Sequence, residues 1–310
     1  MKDIRPINQT NLYGLDRFIS QLVQLYENNN LPNKILLSGQ KGLGKSTLAF
    51  HFINFVLSKN EEHAYDVKNY KINIDNRSFK TVLNKSNPNL IIIDISPEKK
   101  MIDINQIRDL ITNLNKSSFN NKPRFILINN IEFLNHNSIN ALLKVLEEPN
   151  FNIYFILINN NKKILKTLLS RCINFKISIT YNQSLNIADK LLDGKLDDII
   201  NKDLINYYST PGNIYNLIKF AEINKYDLCT MSLENLLKMF IKDNHYKKDN
   251  LLKYQIFDLI ELYFRRINFS FSSKVYNKYI YFIKKISDTK KFNLDKESVF
   301  LEFEEDVLNG

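Results

Sequence analysis

Glycine is scarce in this chain, with 7 in 310 residues, yet three of them, Gly39, Gly42 and Gly44, fall in one short stretch. A chance cluster is a poor explanation for that, so the stretch is a built turn. Cysteine is scarcer still. Cys172 and Cys229 are the two present, which excludes a four-cysteine zinc site and gives no disulfide framework. Long apolar runs are also missing. The longest, such as Phe125 to Ile128 and Leu90 to Ile93, are strand-sized and far short of a bilayer span. The opening Met1-Lys2-Asp3-Ile4-Arg5-Pro6 has no apolar signal core, so the expectation is a soluble, cytoplasmic protein with no membrane partner.

The glycine cluster lies in Ile35-Leu36-Leu37-Ser38-Gly39-Gln40-Lys41-Gly42-Leu43-Gly44-Lys45-Ser46-Thr47. A short apolar strand runs into Gly-x-x-x-x-Gly-Lys-Ser, and Leu48, Ala49, Phe52, Phe55 and Val56 follow at helical spacing. This is the phosphate-loop pattern, in which successive backbone N–H groups curl around phosphate oxygens at the positive end of a helix. Gly39, Gly42 and Gly44 permit backbone angles and close approach that a Cβ would block. Lys45 is expected to neutralise the phosphates and Ser46 to offer its hydroxyl to Mg²⁺, with Leu43 and Thr47 completing the nucleotide-binding set.

A chain of this length fits about two domains, and 44% hydrophobic residues suffice for a folded core. The net charge of +10 suits a polyanionic partner such as nucleic acid. A general bias towards Asn, Ile and Lys explains part of that charge equally well, so charge alone leaves both readings open.

Leu15, Phe18, Ile19, Leu22, Leu25 and Tyr26 recur at helical spacing before the first strand, whereas segment 59–88 is polar and reads as an irregular connector or a peripheral insertion. Beyond it, Leu90 to Ile95, Phe125 to Ile128, Ile153 to Ile158 and Ile173 to Ile177 read as buried strands. Helical stripes separate them: Ile104, Ile107, Leu110, Ile111 and Leu114, then Ile139, Leu142, Leu143 and Leu146, stopped by Pro149, then Ile164 to Leu169. Five strands alternating with helices predict a mostly parallel sheet covered on both faces. Past about residue 180 the strand pattern stops and the chain reads as helical to its end, broken at Thr210-Pro211-Gly212-Asn213.

Several stretches together resemble a known family. They are the phosphate loop, Asn87-Pro88-Asn89-Leu90, Ile104-Asn105-Gln106-Ile107-Arg108, Ser138-Ile139-Asn140-Ala141-Leu142-Leu143-Lys144-Val145-Leu146-Glu147-Glu148-Pro149, Phe155-Ile156-Leu157 and Leu168-Leu169-Ser170-Arg171-Cys172. In this order and spacing they resemble the bacterial clamp loaders of the AAA+ class, most closely the delta-prime subunits of DNA polymerase III. The likeness covers roughly residues 1–220 well and the remainder only as helical character. It implies an AAA+ nucleotide-binding domain over 1–178, a helical lid over 179–225 and a helical collar for oligomerisation over 226–310. It also implies partners: the gamma/tau and delta subunits, a sliding clamp and primer–template DNA.

The resemblance assigns roles to single residues. Arg171, in Ser-Arg-Cys, would reach across a subunit boundary to the γ-phosphate of ATP held by a neighbour. Asn160, or equally Asn159, falls where the family senses that phosphate. Arg108 and the following Lys116-Ser117-Ser118-Phe119 resemble the part that faces DNA in the central chamber, although a solvated helix end explains Arg108 as well.

Departures from the pattern matter as much. Where a hydrolysing relative carries Asp-Glu after the third strand, this chain has Asn129-Asn130. A neutral amide holds Mg²⁺ less well and takes no proton. Asp94 also follows four apolar residues, but the family's strand order puts its strand at the sheet edge, away from the phosphates, and Glu132 lies two residues too far on. The arginine that active relatives carry near Thr210 to Asn213 is absent, and so is the cysteine-bearing zinc module of segment 59–90. The expectation is a subunit that binds ATP with Mg²⁺ without hydrolysing it, with no zinc. An ATP-hydrolysing gamma/tau-type motor is the alternative, and a small-molecule kinase with no DNA role is opposed by the Ser-Arg-Cys and Leu-Glu-Glu-Pro blocks.

Overall fold

The computed structural model describes residues 3–96, 99–114, 120–147, 152–248, 250–267, 273–292 and 294–309. Lys116 to Phe119, together with Glu148 and Pro149, lie outside them. The chain divides into two compact units, one of residues 1–191 with Thr210–Gly212, the other of 192–209 with 213–310.

The first unit is built on five strands, β1 (Lys34–Ser38), β2 (Leu90–Ile93), β3 (Arg124–Ile128), β4 (Ile153–Asn159) and β5 (Ile173–Lys176), in the spatial order β2-β3-β4-β1-β5. Every neighbouring pair is parallel. The strands are apolar on both faces because both faces are covered. Ile35, Leu37, Phe125, Leu127, Ile156 and Ile158 point into one core. Leu36, Ile126, Ile128, Phe155 and Leu157 point into the other. Helices α1 (Asp16–Glu27), α2 (Lys45–Ser58) and α3 (Arg77–Leu83) contribute to the first core. Helices α4 (Ile104–Leu114), α5 (His136–Glu147) and α6 (Lys166–Leu169) contribute to the second. The helix α7 (Tyr181–Leu192) follows β5.

Helix α3 falls in the segment that sequence reads as an irregular connector. It is too short to show a period, and it is held from its start instead. Asn76 caps it by accepting from the Phe79 N–H at 2.8 Å, and Glu61 accepts from the Ser78 N–H at 3.0 Å. Phe79 and Val82 then anchor it to the core.

Helix α2 is buried along most of its length, and it carries a polar group the core must satisfy. His51 is fully buried, with Nδ1 3.0 Å from the Tyr65 hydroxyl and Nε2 3.2 Å from the Gln9 carbonyl. The carbonyl only accepts, so Nε2 carries the proton, and Tyr65 donates to Nδ1. Burial pushes the imidazole down to about 4, from an ordinary value of 6.5. A depressed histidine leaves the folded state whole above pH 6.5 and weakens it as the unfolded chain takes up the proton between 6.5 and 4. The wild-type chain should therefore lose about 2 kcal/mol between pH 7 and pH 5 through this group. In urea titrations at the two pH values, His51→Gln should lose that much less; equal losses would contradict the assignment.

The second unit is helical. It holds most of α8 (Pro211–Asn224), then α9 (Leu233–Lys242), α10 (His245–Lys248), α11 (Asn250–Ile267), α12 (Ser273–Phe292) and α13 (Glu297–Phe303). Its core is aromatic, with Phe240, Phe257, Phe264, Phe282, Phe300 and Phe303 almost wholly buried. Phe264 meets Phe303 edge-on with ring centroids 5.6 Å apart and stacks on Phe282 at 5.8 Å. No described helix is long and apolar enough to cross a membrane.

Candidate nucleotide site

All strands of the sheet run the same way, so the residues that leave their carboxyl ends converge on one edge of it. The loop after β1 carries Gly39 to Gly44, Asn129 and Asn130 leave β3, and Asn160 leaves β4. Register brings in one more residue. Ile93 pairs with Ile128, so Asp94 stands beside Asn129.

The loop has the backbone shape that its glycines permit. Gly42 and Gly44 have φ of 88° and 80°, and a Cβ on Gly39 would lie 2.4 Å from the Ile177 carbonyl oxygen. Gly44 is the N-cap of α2, so the helix's unpaired N–H groups face the loop. A fourth glycine joins them. The Gly212 N–H donates to the Gly42 carbonyl at 3.1 Å, and a Cβ on Gly212 would lie 2.8 Å from Gly42 Cα. Beside it, Thr210 Oγ1 donates to the Lys41 carbonyl at 2.9 Å. Thus the Thr210–Gly212 segment seats on the loop as part of the same unit.

Lys45 is 3% exposed and donates to the carbonyls of Gly39 at 2.9 Å and Gln40 at 2.6 Å. Burial pushes its ammonium down to about 8, against the opposing pull of Glu132. A phosphate beside it would favour the charged form. Leu43 is buried beneath the loop, and Thr47 is half-buried in the first turn of α2.

On the side where Mg²⁺ would sit, Ser46 Oγ donates to Asn129 Oδ1 at 3.0 Å. Asn129 Nδ2 donates to Asp94 Oδ2 at 3.1 Å, and Asn130 Nδ2 to Asp94 Oδ1 at 2.7 Å. Asp94 leaves the edge strand, as the family's order implies, but the expectation that it stands away from the site is corrected. Its carboxylate is two hydrogen bonds from Ser46 because parallel register sets it beside residue 129. Glu132, too far along the sequence to match the family position, is turned back by the left-handed Asn130 (φ 55°) and a 3-10 turn, and it accepts from Asn160 N at 3.3 Å and Asn160 Nδ2 at 3.0 Å. Asn160 Nδ2 also donates to Asn130 Oδ1 at 2.7 Å. Both amide hydrogens of the expected phosphate sensor are thus committed within the protein. Asn159 instead donates to the Lys162 carbonyl at 2.9 Å.

The loop fits a triphosphate, since its glycines hold positive φ in front of a helix N-terminus and a buried ammonium lies at its base. A hydroxyl and amide oxygens are hard donors of the kind Mg²⁺ accepts, although without a carboxylate among them.

Two expected residues lie elsewhere. Arg171 follows α6 and is 32% exposed; it donates to the Thr167 carbonyl at 2.7 Å and pairs with Glu147 at the end of α5. Its bonds are to these two residues and not to the phosphate loop of its own chain. Arg108 is exposed on α4. Sequence reasoning missed Glu147 as the partner of Arg171, and no local signal could have found it, since the two stand 24 residues apart.

Residues 14–180 match the family described as DNA polymerase III, delta subunit. The chain is 27% identical over 222 residues to the DNA polymerase III subunit gamma/tau of Mycoplasma genitalium, covering 71% of this chain and 34% of that protein. It is 31% identical over 176 residues to the DNA polymerase III subunit delta' of a Buchnera aphidicola, covering 53% of this chain and 49% of that one. It therefore spans half or less of the length of these relatives. Among solved structures, a DNA polymerase III gamma subunit-related protein of Thermotoga maritima aligns over 93% of this chain and 95% of its own, at 17% identity and a TM-score of 0.44.

Proposed function

The chain belongs to the family of DNA polymerase III, delta subunit, and from that premise we propose that it is a delta-prime-like subunit of a replicative clamp loader, one that grips ATP with Mg²⁺ without hydrolysing it and lends Arg171 to a neighbour's ATP site. The observation that carries this is the pair Asn129 and Asn130 at the end of β3, both amides bonded within the protein where a hydrolytic site needs acids. Gly39, Gly42 and Gly44 would wrap the phosphates, Lys45 would neutralise them, and Ser46 would hold Mg²⁺. Arg171 is bonded to Thr167 and Glu147 and not to its own loop, which supports a role outside its own subunit, where its guanidinium would exchange these bonds for a neighbour's phosphate.

On this reading residues 179–225 act as a lid and 226–310 as a collar. The partners are gamma/tau and delta subunits, a sliding clamp and primer–template DNA, with Arg108 as a DNA-facing cation, in the cytoplasm. The gamma/tau-type motor remains a second reading because Asp94 and Glu132 bring carboxylates to the same edge of the sheet. A reconstitution tests the role. Mixed with gamma/tau and delta subunits from the same source and sized by native mass spectrometry, the chain should enter one ring-sized assembly; remaining free would contradict it.

A further inference from the structure

A carboxylate only accepts hydrogen bonds, so any amide that meets it must turn its NH₂ group towards it and its oxygen away. Asp94 meets two such amides, Asn129 Nδ2 at 3.1 Å and Asn130 Nδ2 at 2.7 Å. Its Oδ1 is also held by the Ile95 N–H at 2.7 Å, so the carboxylate is anchored to its own backbone. The consequence reaches both flanks. Asn129 Oδ1 faces the Ser46 hydroxyl, and Asn130 Oδ1 faces Asn160, whose second amide hydrogen goes to Glu132.

We propose that Asp94 is a positioning residue for the nucleotide site: by holding both amides of the Asn129-Asn130 pair, it fixes an oxygen of Asn129 towards the Mg²⁺ side at Ser46 and excludes a carboxylate from either position. The acid of this strand pair stands after β2 and the amides stand after β3, which is an arrangement of charge. A carboxylate at 129 or 130 would stand against Asp94 at the 3.1 Å or 2.7 Å now spanned by a hydrogen bond. Two carboxylates so close cannot both stay ionised without cost. Placing acids at 129 and 130 alone is therefore not a restoration of a hydrolytic site, since each would face Asp94.

This inference rests on the nucleotide-binding reading above, and the experiment separates the two. The full chain is titrated with a fluorescent ATP analogue with and without Mg²⁺, as wild type, Asp94→Ala, Asn129→Asp and the exchanged pair Asn129→Asp with Asp94→Asn. Each protein is also melted without nucleotide. Asp94→Ala frees both amides to turn, so the gain in affinity from Mg²⁺, read as the ratio of affinities with and without the ion, should fall about tenfold or more, as for other residues that orient a metal ligand. Asn129→Asp alone should lower the melting temperature by about 4 °C or more, and adding Asp94→Asn should bring it back and raise the Mg²⁺ gain above wild type. An Asp94→Ala chain with the wild-type Mg²⁺ gain would overturn the proposal. Failure of the wild-type chain to bind the analogue would instead sink the nucleotide reading. The melting comparison then decides the orientation alone, and an Asn129→Asp chain as stable as wild type would overturn it.

Discussion

Replacing Arg171 by alanine should reduce ATP turnover at the neighbouring site of the assembled complex about 10³-fold or more, the range an arginine supplied in trans commands in related phosphoryl transfers. The transition state spreads negative charge over the transferred phosphoryl group, and a planar guanidinium can meet two of its oxygens at once. The same substitution should leave nucleotide binding by this chain intact, because Arg171 bonds to Thr167 and Glu147 and to nothing on its own phosphate loop. It should also leave stability nearly intact. The Arg171–Glu147 pair is exposed at 32% and 54% on its two sides, and such pairs contribute at most about 1 kcal/mol. Arg171→Lys should rescue little, since an ammonium is a point charge without the fork. Measured as DNA-stimulated phosphate release by the reconstituted complex, an unchanged rate in Arg171→Ala would remove the trans role.

The parts of this molecule that were legible in its sequence are those in which the residue type itself is the requirement. A phosphate loop needs glycines and a lysine at set positions, and Gly39 to Ser46 display them. A sheet buried on both faces needs unbroken apolar runs, so the strands at Phe125 and Ile153 announced themselves, along with their parallel order. The helical second half was equally plain from its spacing. Helix α3 was not, because Phe79 and Val82 are too few to establish a period, and its start depends on Asn76 and on Glu61, 17 residues away from Ser78. Asp94 was visible as an acid after an apolar run, yet its place was misjudged, because nearness to residue 129 comes from strand register across 35 residues and not from local pattern. The seat of Thr210 on the loop is set over a separation of 169 residues, beyond any local signal. Contacts made by pairing distant segments leave no mark on either segment alone.

The second large effect concerns a reaction that the isolated chain is expected not to carry out. Cleavage of ATP needs a base or a carboxylate that orients the attacking water, and losing one costs about 10² to 10⁴ in rate. Asn129 and Asn130 take no proton, Asp94 is occupied by both of them, and the Glu132 carboxylate receives two bonds from Asn160. The Asn160 amide, expected from the sequence to sense the γ-phosphate, is spent inside the protein as well, since both hydrogens on its Nδ2 are directed to Asn130 and Glu132. Against an ordinary enzyme rate of about 1 s⁻¹, the site should therefore turn over at about 10⁻² s⁻¹ or slower. Binding is a separate matter, because the glycines, Lys45 and Ser46 that would hold the phosphates are all in place. The decisive measurement is the steady-state release of phosphate from Mg-ATP by the purified chain alone, on a sample shown to bind the nucleotide. Bound ATP that stays whole is the expected result; sustained turnover near 1 s⁻¹ would mean the chain is itself a motor, and the account would fail.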